Sequence, residues 1–167
     1  REAAERILHS QGIYDVRVEH VSGNLTDHYD PRTKRLALSQ DVYGRTSVAA
    51  VCVAAHECGH AIQHNINYAP LNIRSAIVPV ANIGSSLSWP IFLLGLILSI
   101  PALTTAGIVL FSLAVLFQLV TLPVEFNASA RALRALEGNG MMTQEELDGA
   151  KRVLTAAAMT YVAALFM

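Results

Sequence analysis

Apolar positions along the chain change period several times, and each change marks an element. Ala3, Ala4, Ile7 and Leu8 fall on one face of a helix that runs from the first residue and stops at Gly12. Residues 14–21 then alternate, with Val16, Val18 and His20 facing away from Arg17 and Glu19, the pattern of a half-buried strand. Ser22, Gly23 and Asn24 turn the chain, residues 25–29 suit a short second strand, and Asp30-Pro31 ends it. A third alternation over residues 34–40 centres on Leu36 and Leu38. Together these predict a small antiparallel sheet of three strands.

The period lengthens again after Thr46 and Ser47, both suited to an N-cap. From there to about Asn65, Gly59 is the sole glycine or proline, and Ala, Val and Ile fill most positions, which predicts one long buried helix. Tyr68-Ala69-Pro70 closes it. Positions 75–124 then carry no charged residue at all. Within that tract, residues 83–100 and 105–122 are each near the ~18–20 apolar residues that cross a hydrocarbon core of ~30 Å. Pro101, with Ser99 and Thr104, marks a short turn between them, and Trp89 suits an interfacial anchor. Beyond Pro123 a new, charged helix is expected up to Gly138, and Thr143 with Glu145 and Glu146 opens a last helix, apolar from Val153 onward.

Composition strengthens the membrane reading. Charged residues make up 15% of the 167 positions, against roughly 25% in soluble domains, and mean hydropathy is +0.40. A net charge of −1 gives no electrostatic basis for a nucleic-acid partner. Cys52 and Cys58 stand six apart in one helix, about 9 Å at 1.5 Å rise per residue, too far for a disulfide. They are expected as buried thiols in a reducing compartment. Arg1 lies inside an amphipathic pattern and Met167 inside an apolar run, so flanking chain is expected at both ends.

The chemistry sits in His56-Glu57-Cys58-Gly59-His60, an H-E-x-x-H on a helix. Residues i and i+4 share a face, so two imidazoles reach one Zn2+ ion per chain, and Glu57 beside them can act as general base on a metal-activated water. A catalytic zinc takes a third protein ligand. His64 continues the spacing, but it is about 12 Å from His56 along the axis and reads as a neighbour. Glu125, the first charge after the uncharged tract, is the better third ligand. His28, Ser129 and His64 are candidates for supporting or substrate contacts, and Arg131 and Tyr161 are weaker candidates for an oxyanion contact.

Longer collinear motifs surround these residues. They are Leu25-Thr26-Asp27-His28-Tyr29-Asp30-Pro31, Ser47-Val48-Ala49-Ala50, Ala54-Ala55-His56-Glu57-Cys58-Gly59-His60-Ala61-Ile62-Gln63, Val78-Pro79-Val80-Ala81-Asn82-Ile83-Gly84, and Leu122-Pro123-Val124-Glu125-Phe126-Asn127-Ala128-Ser129. On these the chain resembles the YugP-type membrane-bound neutral zinc metallopeptidases of bacteria. The resemblance implies a multi-pass bacterial membrane protein with peptidase activity and Glu125 as third ligand. The wider HtpX-like group pairs H-E-x-x-H with a Glu on a later helix, often followed four residues on by an Asp. Here that place is Ser129, a weaker partner for a ligand histidine than a carboxylate.

The fold expected is therefore α+β and mostly helical: a small antiparallel sheet, a long zinc-binding helix and a transmembrane helical hairpin. Residues 1–74 would form the N-terminal part of the catalytic domain, 75–122 the hairpin, and 123–167 the C-terminal catalytic helices, ending in a truncated membrane helix. Every Lys and Arg lies outside the hairpin and its connection near Pro101, which points the site to the cytoplasmic side of a bacterial plasma membrane. Expected partners are a protein or peptide substrate, the lipid bilayer and a membrane adaptor protein. Two rivals remain: a zinc-binding inactive scaffold, and a site-2-type intramembrane protease, whose motif Leu147-Asp148-Gly149 echoes, although its polar flanks and the better ligand Glu125 count against it.

Overall fold

The computed structural model describes residues 1–167. The chain is mostly helical: α1 (Glu2–Ser10), β1 (Arg17–Val21), β2 (His28–Asp30), β3 (Arg35–Ser39), α2 (Gln40–Tyr43), α3 (Val48–Asn65), α4 (Ala69–Ile97), α5 (Pro101–Gly138) and α6 (Gln144–Leu165). It divides into two compact units, one formed by Arg1–Tyr68 with Val124–Thr160 and the other by Ala69–Pro123 with Tyr161–Met167.

In the first unit, α1 closes where Gly12 takes φ +71° and the Ile13 N–H returns to the Leu8 carbonyl at 2.9 Å. The face expected to be apolar is the one that is buried: Ala4, Ile7 and Leu8 are almost fully covered. They join Leu36, Leu38, Cys52, Cys58 and Leu136 in one core. Each large side chain so buried contributes about 1.5–3 kcal/mol. Helix α3 starts at Ser47, whose Oγ accepts the Ala50 N–H at 3.3 Å. Helix α6 opens with a reciprocal cap: Thr143 Oγ accepts the Glu146 N–H at 3.3 Å, and the Glu146 carboxylate accepts the Thr143 N–H at 2.8 Å.

The sheet departs from expectation. Its order is β1-β3-β2, with β1 parallel to β3 (Arg17 opposite Arg35, Val21 opposite Ser39) and β2 antiparallel to it. It is mixed, not antiparallel. The cause lies in β3, where Leu36, Ala37, Leu38 and Ser39 are all buried. A strand covered on both faces is at home in the centre of a sheet, so β1 takes the free side of β3 instead of pairing with β2. Asp27 secures the junction that follows, its carboxylate accepting the Ser39 N–H at 2.7 Å and the Ser39 hydroxyl at 3.0 Å. The short helix α2 follows directly, over four residues that the sequence pattern does not mark as a helix.

In the second unit, α4 and the leading part of α5 run past each other in opposite directions. A Cβ added at Gly95 would meet Thr104 N at 2.5 Å, and one at Gly107 would meet Phe92 Cβ at 2.7 Å. These glycines therefore mark places where two backbones touch. The turn between the helices places Ser99 at φ +55° and returns the Ile100 N–H to the Gly95 carbonyl at 2.9 Å. Two helices, Ala69–Ile97 and Pro101–Gly138, are long and apolar enough to cross a membrane. Large apolar side chains, Leu93, Ile97, Ile108 and Phe111 among them, point outward.

A second departure from expectation lies at Pro123. No new helix begins there, because α5 runs unbroken for 38 residues through it. Proline removes one N–H from the ladder, but stopping the helix in apolar surroundings would leave several more backbone groups without partners. Glu125 thus rides on the same helix as the second apolar segment.

Candidate metal centre

Helix α3 carries His56, Glu57 and His60, and α5 carries Glu125. The two helices meet where α3 has no side chain: a Cβ at Gly59 would overlap the carbonyl oxygen of Ala128. That close approach explains a glycine in the middle of a helix, at an intrinsic cost of about 1 kcal/mol. It also brings Glu125, one turn before Ala128, up to the imidazoles. His56 Nε2 stands 2.9 Å from Glu125 Oε2, and His60 Nε2 stands 3.6 Å from Glu125 Oε1. The ring centroids of the histidines are 4.8 Å apart and nearly perpendicular. One donor atom from each of the three residues lies within 4.8 Å of the others, so the trio could hold a metal ion. Glu125 and His60 are buried and His56 is partly covered.

The opposite ring nitrogens are tied back. His56 Nδ1 is 3.1 Å from Ser129 Oγ, and His60 Nδ1 is 3.0 Å from Gln63 Oε1. The Gln63 amide is itself oriented, for its Nε2 donates to the Val124 carbonyl at 2.8 Å and to Asn127 Oδ1 at 3.0 Å. A backbone carbonyl only accepts, so the oxygen of Gln63 must be the atom that faces His60, and His60 Nδ1 must be the donor. In the neutral ring, Nε2 then presents a bare lone pair toward a carboxylate oxygen. Two acceptors facing each other in a buried place call for a cation between them. Imidazole nitrogen and carboxylate oxygen are zinc donors, so the residues present fit that ion.

The electrostatics agree. Burial lowers the tendency of His60 to protonate, but its bond to Glu125 and the charge of Glu57 outweigh this and raise its pKa above the ordinary histidine value. Burial pushes the Glu57 carboxyl above the usual range, partly offset by His60 and His56. The first shift reflects the carboxylates that face His60, and the second reflects the loss of water around Glu57.

Among the other residues singled out from sequence, Ser129 reaches His56. His64 Nδ1 instead pairs with the Tyr29 hydroxyl at 2.8 Å, and His28 is exposed with Nδ1 2.8 Å from the Thr26 carbonyl. Asp148 is exposed and takes a long bond from Gln144 at 3.4 Å, apart from the trio. Arg131 donates from Nε to Asn127 Oδ1 at 2.7 Å and lies over the Tyr68 ring. Gln63 and Asn127 were missed. The available signal was an amide three residues after His60 on the same helical face of a mostly apolar helix.

Two imidazoles and a carboxylate, with a further glutamate between the histidines, make the donor set of a zinc-dependent hydrolase. The family model described as "Putative neutral zinc metallopeptidase" matches residues 1–167, and the chain belongs to that family. It is 50% identical over 163 residues to the protein described as "Putative membrane protease YugP" of Bacillus subtilis (strain 168), covering 98% of this chain and 72% of that one. No solved structure matches it.

Proposed function

We propose that the chain is a membrane-embedded, zinc-dependent endopeptidase whose site faces the cytoplasm. The observation that carries this reading is the convergence of His56 Nε2, His60 Nε2 and the Glu125 carboxylate, with His60 Nδ1 committed elsewhere as a donor. His56, His60 and Glu125 would hold the ion. Zinc bound there supplies a Lewis acid that polarises a peptide carbonyl and makes water more acidic.

Glu57 acts as general base. It follows His56 directly on α3, so its carboxylate lies beside the ligand face and takes the proton of the attacking water. Burial that raises its proton affinity suits the second half of the task, delivery of that proton to the leaving amine. Ser129 and Gln63 hold the rings in place from behind. A protein or peptide is the substrate, as the family description supports.

Residues 75–122 are assigned to a transmembrane hairpin, between an N-terminal catalytic segment over residues 1–74 and a C-terminal one over 123–167. The outward apolar side chains of α4 and α5 and the membrane description of the Bacillus relative support this. The absence of Lys and Arg from positions 75–124 supports the cytoplasmic orientation.

Replacing Glu57 with Gln is the direct test. Zinc content of the purified variant stays at the wild-type level, whereas hydrolysis of a quenched-fluorescence peptide falls by at least about 10³-fold, the order expected when a general base that no other group replaces is removed. Undiminished hydrolysis in Glu57→Gln removes Glu57 from the reaction. Absence of zinc from the metal-replete wild type removes the whole assignment.

A further inference from the structure

Histidine presents a metal with whichever ring nitrogen lacks a proton, and that choice is made by what the other nitrogen touches. Behind His60 the choice passes through three side chains. Arg131 can only donate, and its Nε is 2.7 Å from Asn127 Oδ1. Asn127 therefore offers oxygen to Gln63, whose Nε2 lies 3.0 Å away. The second proton of that amide goes to the Val124 carbonyl at 2.8 Å. With both amide protons spent, Gln63 has only its oxygen left for His60 Nδ1 at 3.0 Å.

We infer that Arg131, Asn127 and Gln63 form a one-way hydrogen-bond relay that locks His60 as the Nδ1–H tautomer, so that Nε2 is always the nitrogen turned toward His56 and Glu125. These are positioning residues acting through His60. The inference rests on the proposed metal-binding reading for its consequence, but the tautomer itself is a property of the chain alone.

Gln63 is fully buried, which means the bond to His60 does not compete with water. The guanidinium at the head of the relay is held against the Tyr68 ring with 5.8 Å to its centroid. His56 lacks such a device. Its Nδ1 faces the hydroxyl of Ser129 at 3.1 Å, and a hydroxyl can donate or accept. The two histidines of the motif thus differ: one is committed, the other adaptable.

The test uses the full chain in detergent, labelled with ¹⁵N-histidine, first stripped of metal and then titrated with zinc against a chelator. The variants are Gln63→Met, which removes the acceptor, Asn127→Leu, which cuts the relay, and Asn127→Asp, which keeps an oxygen facing both Gln63 and Arg131. Long-range ¹H–¹⁵N spectra of the metal-free wild type are expected to show His60 protonated at Nδ1. In Gln63→Met that signature becomes a tautomer mixture and zinc affinity falls about 10–100-fold, the usual effect of losing such a partner; Asn127→Leu, which leaves Val124 alone to orient the Gln63 amide, shifts both in the same direction by less. Asn127→Asp keeps the signature and binds zinc within about threefold of wild type, whereas a packing role alone would move the similarly sized Asp and Leu variants alike.

Protonation of His60 at Nε2 and not at Nδ1 in the wild type overturns the relay, as does an unchanged tautomer in both disrupted variants. If the wild type takes up no zinc, the metal-binding reading falls, while the spectra of the metal-free protein still decide the relay.

Discussion

The two units of this chain solve the same packing problem with opposite materials. In the first, the large apolar side chains Ile7, Leu8, Leu36, Leu38 and Leu136 are inside, and the buried polar groups Gln63, Ser129 and Glu125 are each engaged with partners. In the second, Leu93, Ile97, Ile108 and Phe111 face out, while Gly84, Ser88 and Gly95 are covered. Small residues at a helix contact with bulky ones outside is the arrangement expected where the surroundings are as apolar as leucine, because association then depends on close backbone approach. A polar constellation needs the other kind of unit. Only a core that excludes water while supplying matched donors can hold two imidazoles and a carboxylate in one orientation.

The comparison is broken most severely at Gly59. Alanine there sets a Cβ against the Ala128 carbonyl, and backbone on both sides leaves nothing flexible to yield. Gly59→Ala is expected to destabilise the first unit by about 3 kcal/mol, at the upper end of overpacking effects, and to lose zinc, as read by thermal melting and metal analysis. Wild-type melting of that variant would mean that α3 and α5 are less tightly apposed than described.

An opposite insult sharpens the contrast. Leu93, 47% exposed, becomes arginine at a cost of about 2.5–3.5 kcal/mol in membrane insertion if the second unit sits in lipid. Leu93→Arg should therefore reduce the membrane-integrated fraction in a glycosylation-reporter assay, whereas a second unit that faces water would tolerate it unchanged. Smaller still is Ser129→Ala, which frees His56 Nδ1 from its hydroxyl. Zinc affinity is expected to drop by about tenfold, the low end for such partners, and by less than in Gln63→Met. A larger loss than in Gln63→Met would reverse the ranking of the two histidines.

A further effect is on alkaline stability. Burial pushes the Cys52 thiol from 9.0 up to about 11 and the Tyr29 phenol from 10.0 up to about 12. Both groups hold their protons more tightly when folded. Their contribution is intact below the unfolded values and is lost as pH rises through the folded ones. Chemical-denaturation midpoints should therefore slope downward from about pH 9 to about pH 12, following those two shifts, and Tyr29→Phe should flatten the upper part of that slope. A midpoint independent of pH across the window would contradict the burial of both groups.

What could be read from the sequence follows from where the information is local. A four-residue spacing is enough to put His56 and His60 on one face, and an uncharged run is enough to announce two long apolar helices, both of which the fold contains. Glu125, chosen as the charge that ends that run, is the residue gathered with them within 4.8 Å. The parallel pairing of β1 with β3 was not legible, because alternation says which face a strand buries and nothing about its neighbour. Nor was the continuity of α5 through Pro123, since the local rule for proline ignores what the surroundings charge for an interrupted helix. The roles of Gln63 and Asn127 were not legible, because an amide's orientation depends on all of its partners, and Val124 and Asn127 lie 61 and 64 positions from Gln63.

That separation has a consequence for how the protein is made. His56 and Glu125 are 69 positions apart, His56 and Ser129 are 73, and Gln63 and Val124 are 61. A growing polypeptide therefore contains the whole signature motif long before it contains the groups that complete it. The entropy of closing so long a loop grows only as the logarithm of its length, so the delay is imposed by the order of synthesis and not by the energy of closure. During that interval the three residues that could hold a metal ion are not all present, and both apolar segments are made before Glu125 completes the set.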